Sequence, residues 1–172
     1  MSKLEQTTWI LTLAALNKVE PEQLLKQAVL WLDASHSSAG SQEIKNLGWG
    51  GSDLNAQSGS TSGADSNDPK HLDWDGENYV YLPGVPENYL SVPDEAALDT
   101  TGDIDIRVQV ALDDWSPADQ NRLVSKWLPD QRSYLFALAT ASGLLGFTYS
   151  TDGATSVQIL STVGVSATDG DE

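Results

Sequence analysis

Between Asp103 and Leu112 apolar and polar side chains alternate residue by residue, and this run constrains the fold more than any other stretch of the chain. Ile104, Ile106, Val108, Val110 and Leu112 fall on one side of an extended backbone, with Asp105, Arg107 and Gln109 on the other. A pleated strand points successive side chains to opposite faces, so the spacing predicts a half-buried antiparallel strand over 103–112. Four more strand-sized runs follow: Leu123 to Leu128, Arg132 to Ala139, Leu144 to Ser150 and Ser156 to Val163. Between them stand the turn pairs Pro129-Asp130, Ser142-Gly143 and Asp152-Gly153. Evenly spaced strands with turn residues between them predict an all-β sandwich or barrel. No internal repeat is visible, which disfavours propellers and solenoids.

Upstream the pattern is sparser. Val29-Leu30-Trp31-Leu32 is a short apolar run that ends at Asp33-Ala34-Ser35. Residues 35–70 have loop chemistry with one or two brief strands, and their scattered Ile44, Leu47, Trp49 and Leu54 argue for packed loops over a free linker. Leu72 and Trp74 alternate with His71, Asp73 and Asp75, and Asp75-Gly76 supplies a turn. Tyr89-Leu90-Ser91-Val92 is a further strand bounded by Pro86 and Pro93.

The first 27 residues differ from the rest. Ser2 to Lys18 holds no Gly or Pro, and Leu4, Trp9, Leu11, Leu13 and Leu16 are compatible with helical spacing. Pro21 suits the first turn of a second helix, with Glu20 and Glu22 at its start and Lys26 near its end. Two short α-helices over 1–27, followed by a sandwich over 28–172, are expected. Such helices need a surface to pack on, either the following domain or another chain.

Composition narrows the function classes. The chain has 172 residues, with 25 Asp and Glu against 9 Lys and Arg, a formal net charge of −16. That balance repels phosphate backbones and anionic bilayers, so neither nucleic-acid binding nor electrostatic membrane attachment is expected. The longest apolar run, Trp9 to Leu16, is too short for a membrane span and reads as a helix, not as a targeting signal. There is no cysteine, hence no disulfide, thiolate metal site or Cys nucleophile. His36 and His71 are the only histidines.

Several segments in order carry a family likeness. Val29 to Ser35, Asn46-Leu47-Gly48, Asn55-Ala56-Gln57, Asp68-Pro69, Asp73-Trp74-Asp75-Gly76 and Tyr89 to Pro93 resemble the opening of a concanavalin-A-like, laminin-G-like jelly roll. The alternating run at 103–112, Leu123 to Trp127, Arg132-Ser133-Tyr134 and Gly146 to Gly153 resemble its continuation. The wording is closest to laminin-G-like domains in minor tail proteins of tailed bacteriophages, over about residues 28–168. The resemblance implies a non-enzymatic virion structural protein, located in the tail, acting in assembly or in attachment to host-surface glycan. Its partners would be other virion proteins and further copies of itself. The alternative is a free secreted carbohydrate-binding or glycan-degrading module of the lectin and glucanase group. In the family, further strands would follow Asp169-Gly170 to close the two sheets. The expectation is therefore an incomplete sandwich, belonging to a longer protein or completed by neighbouring chains.

Glucanases on this fold carry an acid run of Glu-x-Asp-x-x-Glu type, whereas Asp103-Ile104-Asp105 lacks a third acid at the right offset and reads as two solvated carboxylates. Ser35-His36 has no nucleophile elbow around it, and Gly48-Trp49-Gly50-Gly51 lacks the Lys and Ser/Thr of a phosphate loop. No catalytic residue is assigned. If a cofactor binds, calcium is the expected one, held by loop carboxylates among Asp65, Asp68, Asp73 and Asp75, with solvated acids as the default. Trp49, in a Gly-rich loop, and Trp115, between Asp114 and Ser116, are the candidate sugar-stacking residues, with loop anchoring as the default, and Trp31, Trp74 and Trp127 are expected in the core. Trp9, Leu11, Leu13, Leu16 and Leu24 form the expected assembly surface.

Overall fold

The computed structural model describes residues 11–13, 27–36, 41–59, 63–74, 77–82, 84–85, 88–100 and 102–165. The chain is mostly strand in antiparallel sheets, an all-β fold, and it divides into two compact units between Ala111 and Leu112. That division falls inside the stretch expected from the sequence to be one sandwich.

The first unit holds three small sheets. Strand β1 (Leu11–Leu13) lies between β2 (Trp31–Leu32) and β8 (Ile106–Arg107), with Leu11 opposite Leu32 and Leu13 opposite Ile106. The second sheet joins β3 (Glu43–Ile44), β4 (Ala56–Ser58) and β7 (Leu90–Ser91), with Ile44 opposite Ala56 and Ser58 opposite Leu90. The third is a hairpin of β5 (Lys70–Trp74) and β6 (Glu77–Tyr81), in which His71 pairs with Val80. Short 3-10 turns occur at Ala34–His36, Gly51–Leu54 and Ala96–Leu98. Leu30, Leu32, Ala34, Ile44, Leu54, Ala56, Val80 and Leu98 are buried, so the brief strands β2, β3 and β4 each contribute one apolar side chain to a core.

Two expectations are corrected here. Residues 11–13 form a strand, not part of a helix. Trp9 and Leu13 fit one helical face, but Leu11 between them would fall on the opposite side, whereas all three share a face at a strand's period of two, and neighbouring strands on both sides supply the hydrogen bonds. Gln27 is helical, while residues 14–26, with Leu16 and Leu24, and residues 1–10, with Trp9, lie outside the described residues. The second correction concerns 103–112, where only Ile106 and Arg107 pair as a strand. The ladder stops there, although Val110 is buried and Arg107 and Gln109 are exposed as the alternation requires.

The second unit is a four-stranded meander in the order β12-β11-β10-β9. Strands β9 (Asn121–Leu128), β10 (Gln131–Leu138), β11 (Leu144–Tyr149) and β12 (Val157–Gly164) lie close to the four runs read from the sequence. Between β9 and β10, the ring-fixed φ of Pro129 is followed by Asp130 in the left-handed region (φ 62°), which Asp tolerates better than most residues. Strand β10 is buried on both faces, through Tyr134 and Leu138 on one and Leu135 and Ala137 on the other. The β11–β12 turn is fixed by Asp152, which accepts the N–H groups of Ala154 (2.9 Å) and Thr155 (2.8 Å) and the Thr155 hydroxyl (2.6 Å). These donors, the Thr155 hydroxyl foremost, hold its carboxyl far below the usual carboxylate range. Gly153 (φ 78°) completes the turn where a Cβ would lie 2.9 Å from the Asp130 carbonyl oxygen.

Leu138→Ala should lower stability by about 2–5 kcal/mol, the cost of truncating a fully buried leucine, read as a fall in the urea midpoint. A second outcome concerns pH. Burial holds the His71 imidazole below its ordinary value of 6.5, so protons bind the unfolded chain more readily. The resulting stability is complete above about pH 6.5 and is lost as pH falls below that toward the folded-state value. Thermal midpoints measured between about pH 5 and 7.5 should drop on the acid side in the natural chain, with a shallower slope in His71→Gln. Equal slopes would refute this.

Candidate functional site

Of the two tryptophans singled out for ligand stacking, Trp49 is 65% exposed and Trp115 only 8%. Trp115 is thus corrected to a buried residue whose ring is not offered to a ligand. Its chain neighbourhood explains this: Pro117 accepts the Ala141 N–H (2.7 Å), which draws the 115–117 segment onto the β10–β11 turn.

Trp49 is held by its surroundings while its ring stays in solvent. Its backbone N–H donates to the Ala28 carbonyl (3.0 Å) and its indole Nε1 donates to the Gln27 carbonyl (2.9 Å). Leu47 and Gly50 donate in the same way to Trp31 (2.9 Å) and Val29 (3.0 Å). The loop therefore takes the place of a strand partner for residues 28–31.

Asn46 locks this arrangement. Its Oδ1 accepts the Trp31 N–H (2.8 Å) and the Gly48 N–H (2.9 Å), and its Nδ2 donates to the carbonyls of Val29 and Gly51 (3.1 Å each). An amide side chain has two lone pairs and two N–H donors, and Asn46 uses all four. The Asn46 N–H donates to Asn55 Oδ1 (2.8 Å). Glycine at 48 is a matter of space: a Cβ there would lie 2.5 Å from the Ala28 oxygen and 2.6 Å from the Val29 oxygen. At Gly50 it would lie 2.6 Å from the Val29 oxygen and 2.4 Å from Leu54 Cδ1.

The result is an aromatic plate with its polar edge tethered and much of its surface wet, beside the exposed Ser52 and Asp53 of the following 3-10 turn. Such a plate can take the C–H face of a sugar ring or another apolar surface, with little conformational entropy left to lose. Sequence reading found Trp49 but missed its supports, Asn46, Gly48 and Gly50. The signal is the Asn-x-Gly-Trp-Gly-Gly string itself.

The carboxylate candidates do not gather. Asp68 is buried and its Oδ2 accepts the Asp65 N–H (2.8 Å), while Asp65 Oδ1 accepts the Asn67 N–H (2.7 Å), so both acids shape their own turn. Asp73 pairs with Asn78 through β5, its side chain and all of Asp75 lying outside the described residues. Among the described residues no group of three or more acidic or imidazole side chains is placed to hold a metal ion. Asp105 is engaged by Arg107, whose Nη2 stands 2.9 Å from its Oδ2. At Asp33, Ser35 and His36 the serine hydroxyl donates to Asp33 (2.7 Å) and His36 Nδ1 stands 3.0 Å from that hydroxyl. The three side chains hydrogen-bond to one another on a turn at which Ser35 and His36 are exposed.

No protein-family model, curated protein or solved structure matches the chain.

Gly48→Ala should destabilise the chain by about 1–3 kcal/mol, because the colliding atoms are backbone oxygens that cannot swing away. Gly63→Ala, where a Cβ meets nothing within 4 Å, should leave the urea midpoint almost unchanged. Equal effects of the two would refute the close-packed loop.

Proposed function

We propose that the chain is a non-enzymatic structural protein of a tailed-phage virion, carrying a laminin-G-like, concanavalin-A-like jelly roll that contacts host-surface glycan through Trp49. The observation that carries this reading is the Trp49 indole, tethered to the Gln27 carbonyl on a loop that Asn46 fixes, yet 65% exposed. Burying that ring in a protein core would be the ordinary fate of a tryptophan, and keeping it wet on a rigid loop suits a contact surface. The antiparallel all-β organisation is of the kind the resemblance implies. The excess of acid residues keeps many copies soluble when displayed side by side. Attachment to other virion proteins belongs in this reading to Trp9, Leu16 and Leu24, since Leu11 and Leu13 stand in a strand paired on both sides within the first unit. A free carbohydrate-binding module would use Trp49 in the same manner and would have no such attachment.

On a glycan array the natural chain should bind a subset of sugars, and Trp49→Ala should bind them about tenfold more weakly or worse, the loss of one aromatic anchor. An array blank for the natural chain, or binding unchanged in Trp49→Ala, would overturn the glycan contact.

A further inference from the structure

The sheet of the second unit ends at β12, an edge with β11 as its one strand neighbour among the described residues. The eight residues of β12 carry no charge, and the uncharged stretch runs from 153 to 168 in a chain whose net charge is −16. Val157 is 51%, Ile159 57% and Val163 76% exposed. Pairing of Val157 with Tyr149 and of Ile159 with Phe147 sets them on the same side as those two rings, which stack with centroids 6.2 Å apart. An apolar ribbon therefore runs across β11 and out to the rim of the sheet.

Soluble proteins guard an edge of this kind with charge, with proline or with a bulge that turns it away. The opposite edge, β9, carries Arg122 and Lys126. Strand β12 has neither charge nor proline, and its register shift lies toward Gly164, leaving Val157 to Leu160 in regular pairing.

We propose that β12 is a self-association edge, on which a second copy of this chain adds its own β12 antiparallel to form a two-fold dimer. Charge selects this occupant. Two copies at −16 repel wherever their acids meet, and an edge without charge is where a like-charged copy approaches at least cost. A basic partner would find no carboxylate on β12 to recognise. Antiparallel self-pairing is also isologous, so it closes at two chains, whereas β12 of one copy on β9 of the next would grow without end. The inference does not rest on the glycan reading.

The test uses the full chain in sedimentation velocity over a wide concentration range. The mass should rise from 18.5 kDa at high dilution to twice that value. Gln158→Glu with Thr162→Glu, at two exposed polar positions, should stay monomeric, and so should Gln158→Lys with Thr162→Lys. Mixing the acidic and basic variants should restore the doubled mass, a result that unfolded chains cannot give. Slowed amide exchange across β12 in the natural dimer should accompany it. A natural chain monomeric throughout, a dimer indifferent to both variants, mass that grows without limit, or variants that stay monomeric when mixed would each overturn the proposal.

Discussion

Buried backbone from Ala28 to Leu32 must place its N–H and carbonyl groups somewhere, since each one left unpaired away from water costs as much as a lost hydrogen bond. The loop 46–51 absorbs them. Asn46 alone serves the Trp31 N–H and the Val29 carbonyl, and the N–H groups of Leu47, Trp49 and Gly50 donate to the carbonyls of Trp31, Ala28 and Val29. Removing that one amide would strand buried partners on both segments, and the close approach permitted at Gly48 would lose its purpose. The exposure of Trp49 is a consequence of this pairing: its backbone is spoken for, its polar edge is spoken for, and its ring is what remains.

The acid excess has a local explanation as well as a global one. Asp33, Asp65, Asp114 and Asp152 each accept the N–H two residues ahead, at Ser35, Asn67, Ser116 and Ala154. Aspartate is the side chain whose short carboxylate folds back onto its own backbone in this way. A chain with many turns between short strands uses many such residues, and their negative charge follows. The carboxylates that might have been read as metal ligands or as a catalytic pair are in large part turn formers or, at Asp105, ion-paired to Arg107.

The meander from Asn121 to Gly164 was legible in the sequence nearly to its ends, because each strand there finds its partner across a short turn and the turn residues mark the boundaries. The alternating run at 103–112 was less informative than its pattern suggested. Period two reports which side chains face inward and which outward, as the buried Val110 and the exposed Gln109 do, and not how many residues find a strand partner, here Ile106 and Arg107. At residues 11–13 the spacing of Trp9 and Leu13 suits a helix while the alternation of Leu11 and Leu13 suits a strand, and the strand neighbours decide. The tryptophans were sorted by loop position, which placed Trp49 correctly at the rim. It failed for Trp115, which is buried next to a segment held through Pro117, and Trp31 and Trp127, expected inside, are only half-buried. The division between Ala111 and Leu112 has no composition shift to announce it.

The two units differ in how far apart in the chain their pairings lie. Strands β9 to β12 each pair with the next along the sequence, so closing one hairpin leaves only a short loop to close for the following strand. Leu13, by contrast, pairs with Ile106, across almost the whole of the first unit. Contacts that distant slow folding, and those that are local speed it. On the ribosome the first unit cannot complete the sheet of β2, β1 and β8 until Ile106 has emerged, by which time most of its chain is already outside the exit tunnel. The second unit can zip from one hairpin to the next as it is made.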